Sequence, residues 1–198
     1  MQSPRKFFIQ MSGAPGAGKS TVANLLSQSI DGVVVNHDLL KSFFLGHGFS
    51  FVRSAELAYD LDWVVAEDII NQRRSVIIDS VCNHQPVLDN GMALARRYGY
   101  EYRYVWCQIG DFSLLDQRLR DRTPLRSQRT GLDSPPPDAG PVAAEQDHIA
   151  LFKKWSEPRR PDKGFVIVVD SAQAPAESVG YILRELGRKI EVKNGDSD

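Results

Sequence analysis

Residues 13–20 read Gly-Ala-Pro-Gly-Ala-Gly-Lys-Ser, a complete G-x-x-x-x-G-K-S loop, and few architectures can carry it. Such a loop cradles phosphate only when a strand delivers it and a helix leaves it. The glycines let successive backbone N–H groups turn inward, and the helix N-terminus adds its partial positive charge at the same spot. Both flanks are present. Lys6-Phe7-Phe8-Ile9-Gln10-Met11 is a short apolar run with strand character, and after the loop Val22, Leu25, Leu26 and Ser29 fall at helical spacing. A glycine-rich turn matching the pattern by accident would lack this frame. The motif therefore predicts a nucleoside triphosphate site built from Gly13, Ala14, Pro15, Gly16, Ala17, Gly18, Lys19, Ser20 and Thr21. Lys19 is placed to reach the β- and γ-phosphates, and the Ser20 hydroxyl to enter the shell of a Mg²⁺ ion.

The remainder alternates strand and helix patterns, as a parallel sheet covered on both faces requires. Gly32 to Asn36 reads as the second strand, with a short helix headed by Asp38 running to Leu45. A longer helix is expected over Arg53 to Arg73, with Leu57, Leu61, Val64, Val65, Ile69 and Ile70 as its apolar stripe. Ser75 to Asp79 is a β-branched run ending in a carboxylate, the pattern of a buried central strand. A helix over Pro86 to Tyr98, stopped at Gly99, leads to a fourth strand over Tyr102 to Ile109 and a helix over Phe112 to Arg122. The fifth strand is expected over Gly164 to Asp170 and the closing helix over Ala176 to Ile190. This is an α/β fold in one domain over residues 1–192, followed by a frayed tail over 193–198.

One stretch breaks the rhythm. Thr123 to Val142 holds Pro124, Pro135, Pro136, Pro137 and Pro141 with Gly131 and Gly140, which excludes a regular helix or strand. A loop of this length inside a compact domain reads as an active-site lid, here about 118–146, or as a floppy linker. Arg126 and Arg129 follow Arg118, Arg120 and Arg122 closely. Guanidinium groups match phosphate oxygens with a planar fork, so the lid reading has them closing over a transferring phosphoryl group. The bland alternative is a solvated basic helix face.

Composition narrows the partners. The 198-residue chain has a formal net charge of −1, so no global field draws it to nucleic acid or to an anionic membrane. No run approaches a membrane span and the first residues do not read as a signal peptide, from which a cytoplasmic protein is expected. Cys82 and Cys107 lie far apart and suggest buried free thiols, and the four histidines share no metal-ligand spacing.

With these residues in view the chain resembles the small P-loop kinases, in particular polynucleotide 5′-hydroxyl kinases, chloramphenicol phosphotransferase and zeta toxins. Such proteins carry an aspartate just after the second strand, often with a basic residue three positions on, matched here by Asp38 and Lys41. They end the third strand in an aspartate, matched by Asp79, and lead into their lid with arginines, matched by Arg118 and Arg122. The resemblance implies a P-loop NTPase three-layer sandwich, its five parallel strands in the order 2-3-1-4-5 with the phosphate loop on the central strand. It also implies adenine held between the lid helix and the loop over Asp170 to Gln173. Many relatives carry arginine where Lys41 stands, and an arginine in the helix after the third strand, where this chain has none before Arg96.

The chemistry expected is transfer of the ATP γ-phosphoryl group to a hydroxyl of a small molecule such as a metabolite, nucleoside or antibiotic. Lys19, Asp38, Arg122 and Arg126 form the catalytic set, with Arg118 and Arg122 also on the nucleotide. Asp38 would be the general base, or else simply the cap of the helix it opens. Lys41 would be a cation of the acceptor site, or a surface lysine. Asp79 would support Mg²⁺ opposite Ser20 and touch the acceptor, or would merely end a strand. His37, Tyr59 and Asp62 could face the acceptor. Phe43, Phe44, Phe49 and Phe51 could wall it or simply pack their helices. The basic cluster of Lys153, Lys154, Arg159, Arg160 and Lys163 keeps a nucleic-acid end kinase open, though not favoured, and a non-kinase ATP-hydrolysing or binding module is the third class. No guanine-reading N-K-x-D pattern is visible. Neither the acceptor nor the oligomeric state can be read from the residues.

Overall fold

The computed structural model describes residues 5–81 and 84–187. Its sheet has five parallel strands in the order β2-β3-β1-β4-β5, the order implied by the resemblance. In the chain these are β1 (Phe7–Ser12), β2 (Gly32–Asn36), β3 (Ser75–Asp79), β4 (Glu101–Gln108) and β5 (Val166–Asp170). From β1 the chain steps to one side for β2 and β3, then to the other for β4 and β5. The order therefore reverses at β1, where the phosphate loop leaves the sheet and where ligand crevices open in such folds.

Every residue of β1 and β3 is buried, which explains their unbroken apolar character. Alternate side chains of β1 feed two cores. Phe7, Ile9 and Met11 pack with Val22, Ala23 and Leu26 of α1 (Lys19–Ser29) and with Ile182 and Leu183 of α8 (Pro175–Glu185). Phe8 packs on the opposite face with Ala66, Ile69 and Ile70 of α3 (Phe51–Asn71) and Val87 and Leu88 of α4 (Gln85–Tyr98).

The long helix α3 keeps much of the expected stripe inward, with Ile69 and Ile70 buried and Val65 packed against the core. Its buried residues are Ser54, Ala58, Asp62, Ala66, Ile69 and Ile70, whereas Val64 is 65% exposed. Ser54, Ala58, Asp62 and Ala66 extend the buried face beyond the apolar residues, where α3 lies against α2 (His37–Gly46) and the sheet. On α1 the apolar Leu25 likewise points outward.

Other departures are local. The fifth strand starts two residues late because a 3₁₀ turn occupies Lys163–Phe165. The stretch after α5 (Phe112–Asp121) has no strand, but its last part forms a 3₁₀ turn at Pro137–Ala139 and a single turn of helix, α6 (Pro141–Ala144). Pro141 starts that turn, a position where its missing N–H is harmless. Beyond it lies a helix the sequence pattern did not reveal, α7 (His148–Ser156), capped by Asp147 and anchored by fully buried Phe152. Cys107 is free and buried, as anticipated, and burial pushes its thiol up to about 12. Cys82, the end of the closing helix at Ile190 and the tail over 193–198 lie outside the described residues. No helix among the described residues is long and apolar enough to cross a membrane.

One polar side chain sits at the centre of the sheet. Gln10 donates to the Val87 carbonyl at 2.9 Å and accepts from the Tyr102 hydroxyl, so its amide is paired. Gly91 of α4 packs directly on that amide, and a Cβ there would collide with it. Helix propensity alone would make Gly91→Ala stabilising by about 1 kcal/mol. Overpacking is expected to win and to destabilise by about 1–3 kcal/mol, read as a lower thermal midpoint. A higher midpoint would show that Gln10 can step aside.

Candidate active site

The carboxyl ends of β1, β2 and β3, the start of α1 and the segment after α5 enclose a cleft of about 970 Å³. Its floor is the phosphate loop. Gly16 and Gly18 adopt positive φ, which turns the loop backbone inward, and Pro15 to Thr21 all line the cleft. Gly13 and Ala14 stand behind it. Gly13 lies so close to the Cys107 carbonyl of β4 that any Cβ would collide, and both residues offer their carbonyls to Lys19 Nζ, at 2.9 and 3.0 Å.

Asp79 closes β3 beside this floor and is only 5% exposed. Desolvation raises its pKa, opposed chiefly by the Lys19 ammonium and a hydrogen bond from the Ser20 side chain. Ser20 Oγ and a buried carboxylate thus face one cleft as hard oxygen donors. This pair fits a Mg²⁺ ion that takes its remaining ligands from phosphates and water. Among the described residues no cluster of three or more His, Cys, Asp or Glu could hold a metal by itself.

Asp38 opens α2 but does not cap it. The cap is Asn36, whose Oδ1 accepts from Leu39 N at 3.0 Å, so the Asp38 carboxylate is released toward the cleft. There it meets the segment after α5. Gln128 Nε2 donates to Asp38 Oδ2 at 2.8 Å, and Ser127 Oγ reaches the Asp38 carbonyl at 2.9 Å while its N–H donates to Ser42 Oγ. The proline-rich stretch is therefore laid over the cleft and bonded to α2. Lys41, one turn beyond Asp38, lines the same wall with its ammonium 3.4 Å from the centre of the Phe51 ring. Desolvation lowers its pKa to about 8, with Asp38 resisting.

The arginines divide. Arg118 lines the cleft and has no hydrogen bond or ion pair among the described residues. Arg122 also lines it; one guanidinium nitrogen donates to the Arg129 carbonyl at 2.9 Å while Nε has no partner. Burial lowers its pKa and the Asp38 carboxylate pulls it back. Arg126, expected over the reacting phosphoryl, is placed elsewhere: it makes a two-pronged ion pair with Asp138 and does not line the cleft. The proline-rich segment binds its own arginine because Asp138 lies within reach of Arg126. Arg129 is a clip, nearly buried between the Phe152 and Trp155 rings and donating to the Leu132 carbonyl at 2.9 Å. Of the loop after β5, Ser171 and Gln173 line the cleft, as do Arg118 and Trp155.

The sequence left His37 and Asp62 undecided, and the structure brings them together. His37 Nδ1 lies 2.8 Å from Asp62 Oδ2, both buried, with the imidazole 4.1 Å from the Tyr59 ring. The signal was an acidic residue set in the Ser54/Ala58/Ala66 row of α3, where a charge needs a reason. Ser127 and Gln128 gave no such signal, since their partner lies some ninety residues away.

The model of the AAA domain family AAA_33 matches residues 8–133. No curated protein matches the sequence. Among solved structures, a Chloroflexus aurantiacus protein provisionally assigned as a kinase superposes with TM-score 0.71 at 17% identity, covering 92% of this chain and 99% of its own. A gluconokinase from Sinorhizobium meliloti gives 0.58 at 18% identity, covering 94% of each chain. The Mycobacterium tuberculosis APS kinase, solved with AMPPNP and APS, gives 0.61 at 19%, covering 93% of this chain and 99% of its own.

The Asp79 environment yields a test. Its folded pKa is raised, so the stability linked to it is present at low pH and is lost as pH rises through the folded value. Asp79→Asn removes the charge and keeps the size. The ligand-free protein should then melt higher at neutral pH, by about 2–4 °C for each kcal/mol relieved, and the gain should shrink on acidification. A lower midpoint in a pH series of thermal melts would mean that Lys19 outweighs desolvation. The phosphate loop on the central strand, the 2-3-1-4-5 sheet and the match over residues 8–133 together establish that this chain belongs to the AAA_33 family of AAA domains.

Proposed function

We propose that the protein is a P-loop kinase that moves the γ-phosphoryl group of ATP to a hydroxyl of a small acceptor. The observation that carries this reading is the freed Asp38 carboxylate, which faces the phosphate loop across the cleft because Asn36 does the capping. A hydrolase would need only a water at that place. A carboxylate, a lysine and an amide gathered under a bonded lid suit an acceptor that must be gripped.

In this reading the loop N–H groups and Lys19 bind the triphosphate, and Ser20 and Asp79 hold the Mg²⁺, which supplies charge neutralisation on the phosphate oxygens. Arg118 and the Ser171–Gln173 loop flank the nucleoside. Arg122 offers its free Nε to the charge that builds on the transferred group. Asp38 accepts the proton of the acceptor hydroxyl as its oxygen bonds to phosphorus and the bond to the ADP oxygen breaks. Lys41 contributes positive charge beside the acceptor. Arg126 is given no catalytic part. Packing favours the small acceptor over a nucleic-acid end: in the basic cluster, Arg160 lies over the Trp106 ring at 4.5 Å, a structural duty.

The test is Mg²⁺-ATP turnover, read as ADP release, across nucleosides, sugars, amino alcohols, antibiotics and 5′-hydroxyl oligonucleotides. Lys19→Ala should abolish acceptor-dependent turnover. Asp38→Asn should lower kcat by about 10²–10⁴-fold with ATP affinity nearly kept, and most of the rate surviving would refute the base assignment. ADP release blind to every acceptor would point to an ATP-hydrolysing module instead.

A pH profile tests Lys41 separately. Its ammonium is charged below about 8 and neutral above, so kcat/KM for the acceptor should fall as pH rises through that value. Lys41→Arg, which keeps its charge, should remove this limb. A profile identical in the two enzymes would show that Lys41 does not serve the acceptor.

A further inference from the structure

We propose that His37, aimed by Asp62, is an acceptor-binding residue that reads a second hydroxyl on the substrate, so that the site takes polyhydroxy acceptors. This rests on the kinase reading above. His37 and Asp38 are successive residues opening α2, and both line the cleft. The imidazole is nearly enclosed, 7% exposed, with Nδ1 held by Asp62 and its face against Tyr59. Nδ1 and Asp62 Oδ2 share one proton between them, and Nε2 has no partner among the described residues. A hydroxyl, which can donate or accept, complements Nε2 whichever nitrogen holds the proton.

A purely structural duty explains the pair poorly. Asp62 is fully buried, and its second oxygen, Oδ1, has no hydrogen-bond partner. Its companions on the buried face of α3 are small or apolar. A buried carboxylate with one oxygen unpaired carries a desolvation cost that apolar residues in its place would not, so as mere glue between α2 and α3 this pair is expensive. As a means of fixing one imidazole orientation beside the base it has a purpose. When the cleft closes on an acceptor with one hydroxyl, Asp38 is satisfied and Nε2 is left buried and unpaired. An acceptor with a neighbouring hydroxyl satisfies both, and sites built in this way reject the analogue that lacks the group.

The experiment compares acceptors in matched pairs: glycerol with propanol, ribose with deoxyribose, adenosine with deoxyadenosine, and an amino diol with its mono-alcohol. ADP release is measured with Mg²⁺-ATP for wild type, His37→Phe and the double variant His37→Phe/Asp62→Leu. The phenyl ring keeps the stack on Tyr59 without nitrogens. The double variant leaves no buried charge alone, and circular dichroism and thermal melting establish that each variant is folded. Wild type is expected to turn over at least one polyol with kcat/KM about tenfold or more above its partner, and in the folded variants that ratio falls to near one. A wild-type ratio near one, a ratio kept in the folded double variant, or turnover of mono-alcohols alone overturns the proposal and leaves the kinase reading standing. ADP release indifferent to every acceptor overturns both.

Discussion

A carboxylate buried at the end of a fully buried strand is the constraint around which this molecule is arranged. β3 has both faces covered, so Asp79 arrives at the cleft with little water to solvate it. Such a group needs partners. The phosphate loop supplies them through Lys19 and the Ser20 side chain, which ties the start of α1 to the end of β3. The loop is fixed from behind as well, because Gly13 rests against the backbone of β4 and leaves no room for any other residue. Sheet, loop and carboxylate thus hold one another in register before any ligand enters.

The second layer of organisation is how the chain places Asp38. In many helices an aspartate near the start is consumed as a cap. Here Asn36 takes that duty, and the carboxylate is presented to Ser127 and Gln128 of the proline-rich segment. That segment is not a loose tether. Arg122 holds its backbone at Arg129, Asp116 accepts from Leu132 N, Arg126 pairs with Asp138, and Arg129 is clipped between two aromatic rings. A stretch unable to form a ladder of backbone hydrogen bonds is thereby fixed by side chains, several of them the arginines whose charge had suggested a role at the phosphate. Electrostatic attraction did draw these arginines to anionic or carbonyl partners, but most of those partners belong to the same proline-rich segment.

The legibility of the sequence follows from the range of the forces involved. Period-two and period-3.6 patterns, glycines and caps act over a few residues, and the elements they govern were readable: the loop, all five strands within two residues, and α4 with its Gly99 stop. The helix α7 was missed because its neighbours are rich in proline and its stability comes from one buried phenylalanine and its contacts. On α3 the inward Ile69 and Ile70 were readable, but the burial of Ser54, Ala58 and Asp62 was not, because small and polar residues carry no apolar periodicity. The His37–Asp62 pair and the Gln128 grip on Asp38 join residues far apart in sequence, and no local pattern encodes such meetings.

By itself, then, the sequence determined that this chain presents a phosphate cradle between a buried strand and a helix, in an alternating α/β chain. Those features rest on backbone sterics and hydrophobic periodicity, which are properties of short segments. Only the tertiary structure decided which partners each carboxylate meets, which arginine faces the cleft and which is held within the proline-rich segment, and that Asp62 is buried against His37. Those outcomes depend on desolvation and on hydrogen bonds across the fold, and both come into being only when distant segments are packed together.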